Sequence, residues 1–134
     1  MDLPFIEWSP ELATGIDWQD KQHQALLSSF FKLHQAIEGR KSRKQVANTL
    51  EFLEKYVEIH FAEEEKQMRQ SGYPDLERHV KEHSYFTNRL DKLRAMTTDT
   101  KKLLLGIRLH QDLYTWIINH IKVSDKKLAE HLPR

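Results

Sequence analysis

Seven residues of this chain carry metal-ligand side chains at suggestive spacings. His60 and Glu64 stand in H-F-A-E-E, His79 and His83 in H-V-K-E-H, His120 and Asp125 in H-I-K-V-S-D, and His23 precedes them all. Residues four apart project from one face of a helix, because each residue turns the chain by about 100°. Imidazole nitrogens together with carboxylate oxygens suit iron, zinc or copper, and bridging carboxylates would hold two ions close together. A lone histidine on an apolar stripe is more often a satisfied core residue than a ligand. The joint pattern reverses that judgement and points to a two-metal site. Glu63 and Glu65 also lie within a turn of His60, but spacing and the inner stripe favour Glu64 and leave its neighbours as a solvated face.

Four helices are needed to position these side chains. The first runs from about Asp17 to Glu38, with His23, Leu26, Leu27, Phe30, His34 and Ile37 inward and Gly39 as its C-terminal cap. Ser42 and Gln45 form a capping box that opens a second helix to about Gln70, whose stripe is Val46, Leu50, Leu53, Val57, His60, Glu64 and Met68. Gly72-Tyr73-Pro74-Asp75 stops it and caps a third helix, about Leu76 to Ala95, with Leu76, His79, His83, Phe86, Leu90 and Leu93 inward. Thr97, Thr98 and Asp99 offer another break. A fourth helix from about Thr100 carries Leu103, Ile107, His110, Tyr114, Ile117 and His120 or Ile121. Gly106 within it is expected to mark a close backbone approach. Residues 1–17 read as an irregular N-terminal arm, with Trp8, Trp18 and Tyr73 as packing residues that pin the arm and a loop. Short connections make the expected fold all-α, an up-down-up-down antiparallel four-helix bundle in one domain spanning residues 1–134.

Bundle and site support each other. His23 lies early in helix one, His60 and Glu64 late in helix two, His79 and His83 early in helix three, and His120 late in helix four. Antiparallel neighbours therefore bring all of them to one end. Asp125 does not fit a regular helix. Five residues turn an α-helix by about 500°, which leaves Asp125 roughly 140° from His120. A break, bend or π-type turn is expected between Ile121 and Ser124.

Composition narrows the rest. Of 134 residues, 31% are charged and 39% hydrophobic, with a formal net charge of +1, which lacks the basic excess of a dedicated nucleic-acid binder. Cysteine is absent, so neither disulfides nor thiolate ligands operate, as suits a cytoplasmic protein. No apolar run approaches the roughly 18 residues of a membrane span.

The ordered pattern of an early H, then H-x-x-x-E, H-x-x-x-H and H-x-x-x-x-D, resembles the hemerythrin family, and it is met by His23, His60 and Glu64, His79 and His83, and His120 and Asp125. The resemblance covers nearly the whole chain, including the G-I-D-W-Q-D-K-Q-H lead-in at 15–23. It implies a non-haem centre of two iron ions, Fe2+ or Fe3+, that binds O2 reversibly. In that reading His79, His83 and His120 hold one iron and His23 and His60 the other. Glu64, Asp125 and an oxo or hydroxo group bridge them, and the iron with two histidines keeps an open position. Leu27, Phe61, Trp116 and Ile117 would form the O2 pocket; family members often have leucine where Ile117 stands. Azide and other small diatomics or anions are expected to share the site, and no protein partner is indicated.

Five neutral histidines with two carboxylates favour carriage over oxidation, since fewer anionic ligands stabilise high-valent iron less. O2 storage, transport or delivery is thus the leading function, ahead of a redox-sensing domain and of an oxidase or nitric-oxide enzyme. No charged acid or base is expected near the site beyond the ligands. His34 and His110 fall roughly 15 Å along the axis from the metals and read as a polar pair or a partly exposed bundle end, ahead of a second metal or proton site. His131 is expected to be solvated.

Overall fold

A computed structural model describes residues 8–39, 41–97 and 99–133. The first seven residues of the expected arm, Thr98 in the expected break and the Leu103 side chain lie outside the described residues. Four long helices are present: α1 (Asp17–Glu38), α2 (Arg43–Ser71), α3 (Leu76–Thr97) and α4 (Leu103–His120). Each packs against its neighbour in sequence, and α4 closes onto α1. A π-turn over Ile121–Asp125 follows α4 and leads into a short α5 (Lys126–His131). No helix among the described residues is long and apolar enough to cross a membrane.

Local chemistry explains where the helices begin and end. At α2 the Ser42 hydroxyl accepts the Gln45 N–H while the Gln45 side chain accepts the Ser42 N–H, the reciprocal box expected from S-x-x-Q. Gly72 ends α2 in the left-handed region at φ 64°, where a Cβ would be strained. Gly39 caps α1 differently, at φ −77°, donating to Gln35 O. The α1 start has no side-chain cap of its own. Instead Asp20 accepts the Thr14 and Gly15 N–H groups at 2.7 and 3.2 Å and ties the preceding segment to the helix.

The core has two parts. A long cluster of Leu, Phe, Ile and Val side chains fills the bundle, with Leu26, Phe30, Leu33, Leu50, Leu53, Phe86 and Leu93 fully enclosed, and Trp8 and Trp116 against its edge. A smaller cluster at the end that carries the candidate ligands joins Ile16, Met68, Tyr73, Leu128, Ala129 and Leu132, with Trp18 against it. The helix after Asp125 was not expected from the sequence. Its Leu128 and the Leu132 that follows it, four residues apart, bury in that cluster at the bundle end that carries the candidate ligands. Two stripes also differ in detail: Leu76 and Ile107 are only half-buried, while Leu109 and Leu113 are buried in addition to the expected residues.

Gly106 does not mark a close backbone approach. A Cβ there would meet only the Met96 Cβ at 3.5 Å, an ordinary contact. Gly106→Ala should therefore stabilise the protein by about 0.5–1 kcal/mol through reduced chain entropy. Urea unfolding reads this directly, and a loss of stability would mean that α4 packs more tightly on α3 than the contact indicates.

Candidate metal centre

All seven sequence-selected residues meet at one end of the bundle, and all are at most 4% exposed. Their ligand atoms form two groups, Glu64, His79, His83, His120 and Asp125, and His23, His60, Glu64 and Asp125, each with its atoms within 4.8 Å of one another. Glu64 and Asp125 belong to both. Every histidine turns Nε2 toward the carboxylates. Glu64 Oε1 lies 3.3 Å from His79 and 3.1 Å from His83, whereas Oε2 lies 3.4 Å from His60. Asp125 Oδ1 lies 3.2 Å from His79 and 3.1 Å from His120, while Oδ2 lies 2.8 Å from His23 and 3.5 Å from His60. Each carboxylate thus gives one oxygen to a three-histidine side and one to a two-histidine side.

The π-turn makes the Asp125 contribution possible. Its Lys126 N–H reaches Ile121 O, five residues back, so the backbone widens where a regular helix would carry Asp125 away from His120. The break expected between Ile121 and Ser124 falls within this turn.

Three histidines are held from behind by residues that sequence reasoning did not select. His60 Nδ1 donates to Gln22 Oε1 at 2.9 Å, His83 Nδ1 to Glu65 Oε2 at 2.9 Å, and His120 Nδ1 to Glu82 Oε1 at 3.2 Å. Ser124 Oγ donates to the same Glu82 oxygen at 2.6 Å. An acceptor behind Nδ1 puts the proton there and leaves a bare Nε2 lone pair facing inward, the arrangement a metal-ligating imidazole needs. Glu65 is therefore half-buried behind His83 rather than part of a solvated face, and charged groups do stand close to the ligands. Both carboxylates lie outside the imidazoles, not within the cluster. The signal in the sequence was adjacency, since Gln22, Glu65 and Glu82 each sit beside a candidate ligand.

Without a cation the cluster is electrostatically strained. Burial and the Asp125 charge push the Glu64 carboxyl up, but His60 and the hydrogen bonds from His79 and His83 outweigh them and hold it at about 2. Asp125 is held well below its usual value, chiefly by His120, against the cost of burial. Burial pulls His79 and His120 down, yet the two carboxylates raise His79 to about 9, and Asp125 with Glu82 raises His120 to about 10. Protons thus supply the positive charge that the two carboxylates demand. They do so imperfectly: His120 Nε2 and Asp125 Oδ1 stand 3.1 Å apart without hydrogen-bond alignment, and both are buried without a partner. His23 Nε2 and His60 Nε2 face each other at 3.1 Å. Inward-facing nitrogens, shared carboxylates and misaligned buried polar atoms fit a pair of cations better than a hydrogen-bond network.

Among the expected pocket residues, Leu27 and Ile117 are enclosed, and Phe61 stacks on His83 at 3.8 Å between ring centroids. Trp116 is half-buried, stacks on His120 at 4.7 Å, and lines an outer cavity of about 560 Å³ with Tyr85.

The sequence over residues 14–132 matches the model of the hemerythrin HHE cation binding domain. The chain belongs to the hemerythrin family. It is 33% identical to a bacteriohemerythrin of Pseudomonas aeruginosa, over 92% of this chain and 78% of that protein. A bacteriohemerythrin of Methylococcus capsulatus is 32% identical, over 92% of this chain and 94% of its own length. A myohemerythrin of Theromyzon tessulatum is 28% identical, over 90% of this chain and 88% of its own. Among solved structures, a leucine-to-phenylalanine mutant is similar with a TM-score of 0.79 and 27% identity, covering 93% of this chain and 95% of that one. The family's cation-binding character and the buried histidine–carboxylate cluster agree.

Two remaining histidines form a pair away from the cluster. His34 and His110 stack at 5.6 Å with an interplanar angle of 11°. Burial, then the His34 charge, lowers His110 to about 4, partly offset by a hydrogen bond with the Phe30 backbone. The unfolded chain, with an ordinary value near 6.5, binds more protons in this window. Stability is therefore full above about pH 6.5 and falls as pH drops toward 4, by about 3 kcal/mol in all. The carboxylates of the cluster titrate lower and His79 and His120 higher, so His110 stands apart. Denaturant unfolding of metal-free protein between pH 7 and 4.5 should be steeper for wild type than for His110→Gln; equal slopes would reject the assignment. His131 is exposed as expected, with Nε2 3.1 Å from Ser71 O.

Proposed function

We propose that this chain binds O2 reversibly at a non-haem di-iron centre, for O2 storage, transport or delivery, and that its 134 residues form one such domain. The observation that carries the proposal is the sharing of Glu64 and Asp125 between the two ligand groups. His79, His83 and His120 would hold one iron and His23 and His60 the other, with the two carboxylates and an oxo or hydroxo group as bridges. When bound, the iron pair supplies electrons that O2 accepts on binding and returns on release.

The residues of the chain do the remaining work. The three-to-two division of histidines leaves ligand space on the two-histidine side. Gln22, Glu65 and Glu82 fix three imidazoles with their Nε2 atoms inward. Leu27, Phe61 and Ile117 keep water from that end of the bundle, which slows loss of reduced oxygen species. Glu65 and Glu82 are engaged behind their histidines, with their carboxylates outside the cluster. Azide and other small anions would compete for the same space. We place the protein in the cytoplasm, in keeping with its lack of cysteine.

Anaerobic loading with Fe(II), followed by optical spectra through cycles of air and argon, tests the proposal. A visible band that appears with O2 and fades under argon over repeated cycles supports it. Prompt, irreversible conversion to a diferric spectrum on the first exposure would reject carriage.

A further inference from the structure

Gln19 is fully buried on α1, one turn before His23. Its Nε2 donates to Glu64 Oε2 at 2.8 Å and reaches the Asp125 backbone carbonyl at 3.4 Å. The reverse orientation of the amide would oppose two acceptors at 2.8 Å, so the nitrogen must face Glu64. The other end of the amide, Oε1, is buried with no partner. An unsatisfied buried acceptor is unfavourable, and an apolar side chain of similar length would avoid that cost. What Gln19 does for Glu64 is the compensating feature.

The contact is one-sided. Glu64 Oε1 faces His79 and His83, whereas the Oε2 that receives the amide faces His60 and the two-histidine side. A hydrogen bond to a ligand oxygen takes up part of the electron density it would give to a metal. We propose that Gln19 is a positioning residue that aims Glu64 Oε2 and weakens its donation to the two-histidine metal alone. The inference rests on the di-iron reading above. Weaker anionic donation stabilises Fe3+ less at that position, so Gln19 favours the ferrous form and release of O2 and slows autoxidation. Removing the donor reverses each effect.

Gln19→Met keeps length and removes the N–H. Three measurements test the role. In protein loaded with redox-inert Zn2+, the infrared stretch of isotope-labelled glutamate should shift between wild type and Gln19→Met by the loss of one hydrogen bond. In iron-loaded protein, the reduction potential should fall and autoxidation should accelerate on the order of 10-fold. In zinc-loaded wild type, NMR should show Gln19 side-chain amide protons protected from exchange, a readout that needs no variant to fold. An unchanged stretch and potential in a folded, fully loaded variant, or amide protons exchanging like those of a surface glutamine, would overturn the inference. A wild type that loads no iron would instead overturn the di-iron reading itself, and leave the zinc infrared and amide results to stand or fall separately.

Discussion

Glu64→Ala should lose roughly half or more of the bound iron and lower the O2-dependent absorbance by more than 10-fold. Glu64 is completely buried and gives one oxygen to each ligand group, so its removal withdraws a donor from both positions at once. No neighbour can replace it. Glu63 lies on another part of the helix surface, and Glu65 is committed to His83 at 2.9 Å. Glu63→Ala is the matched control, with expected wild-type iron content and spectrum. Glu65→Ala should fall between them, since it frees the His83 ring without deleting a donor. Iron per chain, measured after gel filtration under argon, reads the series. Full iron content with normal O2 binding in Glu64→Ala would remove Glu64 from the ligand set, and with it the reading of two joined positions.

Ile117→Ala should lower stability by about 2–4 kcal/mol and quicken autoxidation. Ile117 is completely enclosed in the main core and sits three residues before His120, and in the proposed function it also walls the O2 site. The deleted atoms leave a cavity that the surrounding core side chains only partly fill. For a chain of this size the melting temperature should drop on the order of 10 °C. Ile117→Leu, which preserves volume, should cost less than about 1.5 kcal/mol. The two readouts separate the roles. A lowered melting temperature with unchanged autoxidation would show that Ile117 belongs to the core but not to the wall of the O2 site.

Several features of this protein are determined by the sequence alone because they arise from local periodicity. Histidine and carboxylate spacing of four, read against antiparallel helices of similar length, places His23, His60, Glu64, His79, His83 and His120 at one end of one bundle. The capping box at Ser42 and Gln45 and the left-handed Gly72 are equally local, being dictated by side-chain reach and by the absence of a Cβ. Even the π-turn was legible, since the mismatch between a five-residue spacing and a helical turn left few other ways for Asp125 to join His120.

The tertiary structure decided what depends on the rotation of one helix against the next. Gln22, Glu65 and Glu82 stand beside candidate ligands in sequence, but each serves a histidine on the following helix: His60, His83 and His120. A residue adjacent to a ligand points about 100° away from it around the axis. Whether that direction meets solvent or a neighbouring imidazole depends on interhelical packing, which no spacing along one chain segment encodes. Glu65 therefore reads as solvated from the sequence, whereas the structure half-buries it against His83. Gln19 had the same obscurity, because a buried glutamine and a surface glutamine look alike until the Glu64 oxygen on another helix is found 2.8 Å away. The α5 packing and the stacked His34–His110 pair belong to the same class, as contacts between segments distant in sequence. Periodicity along the chain sets which side chains face inward; only packing across helices sets which of them touch.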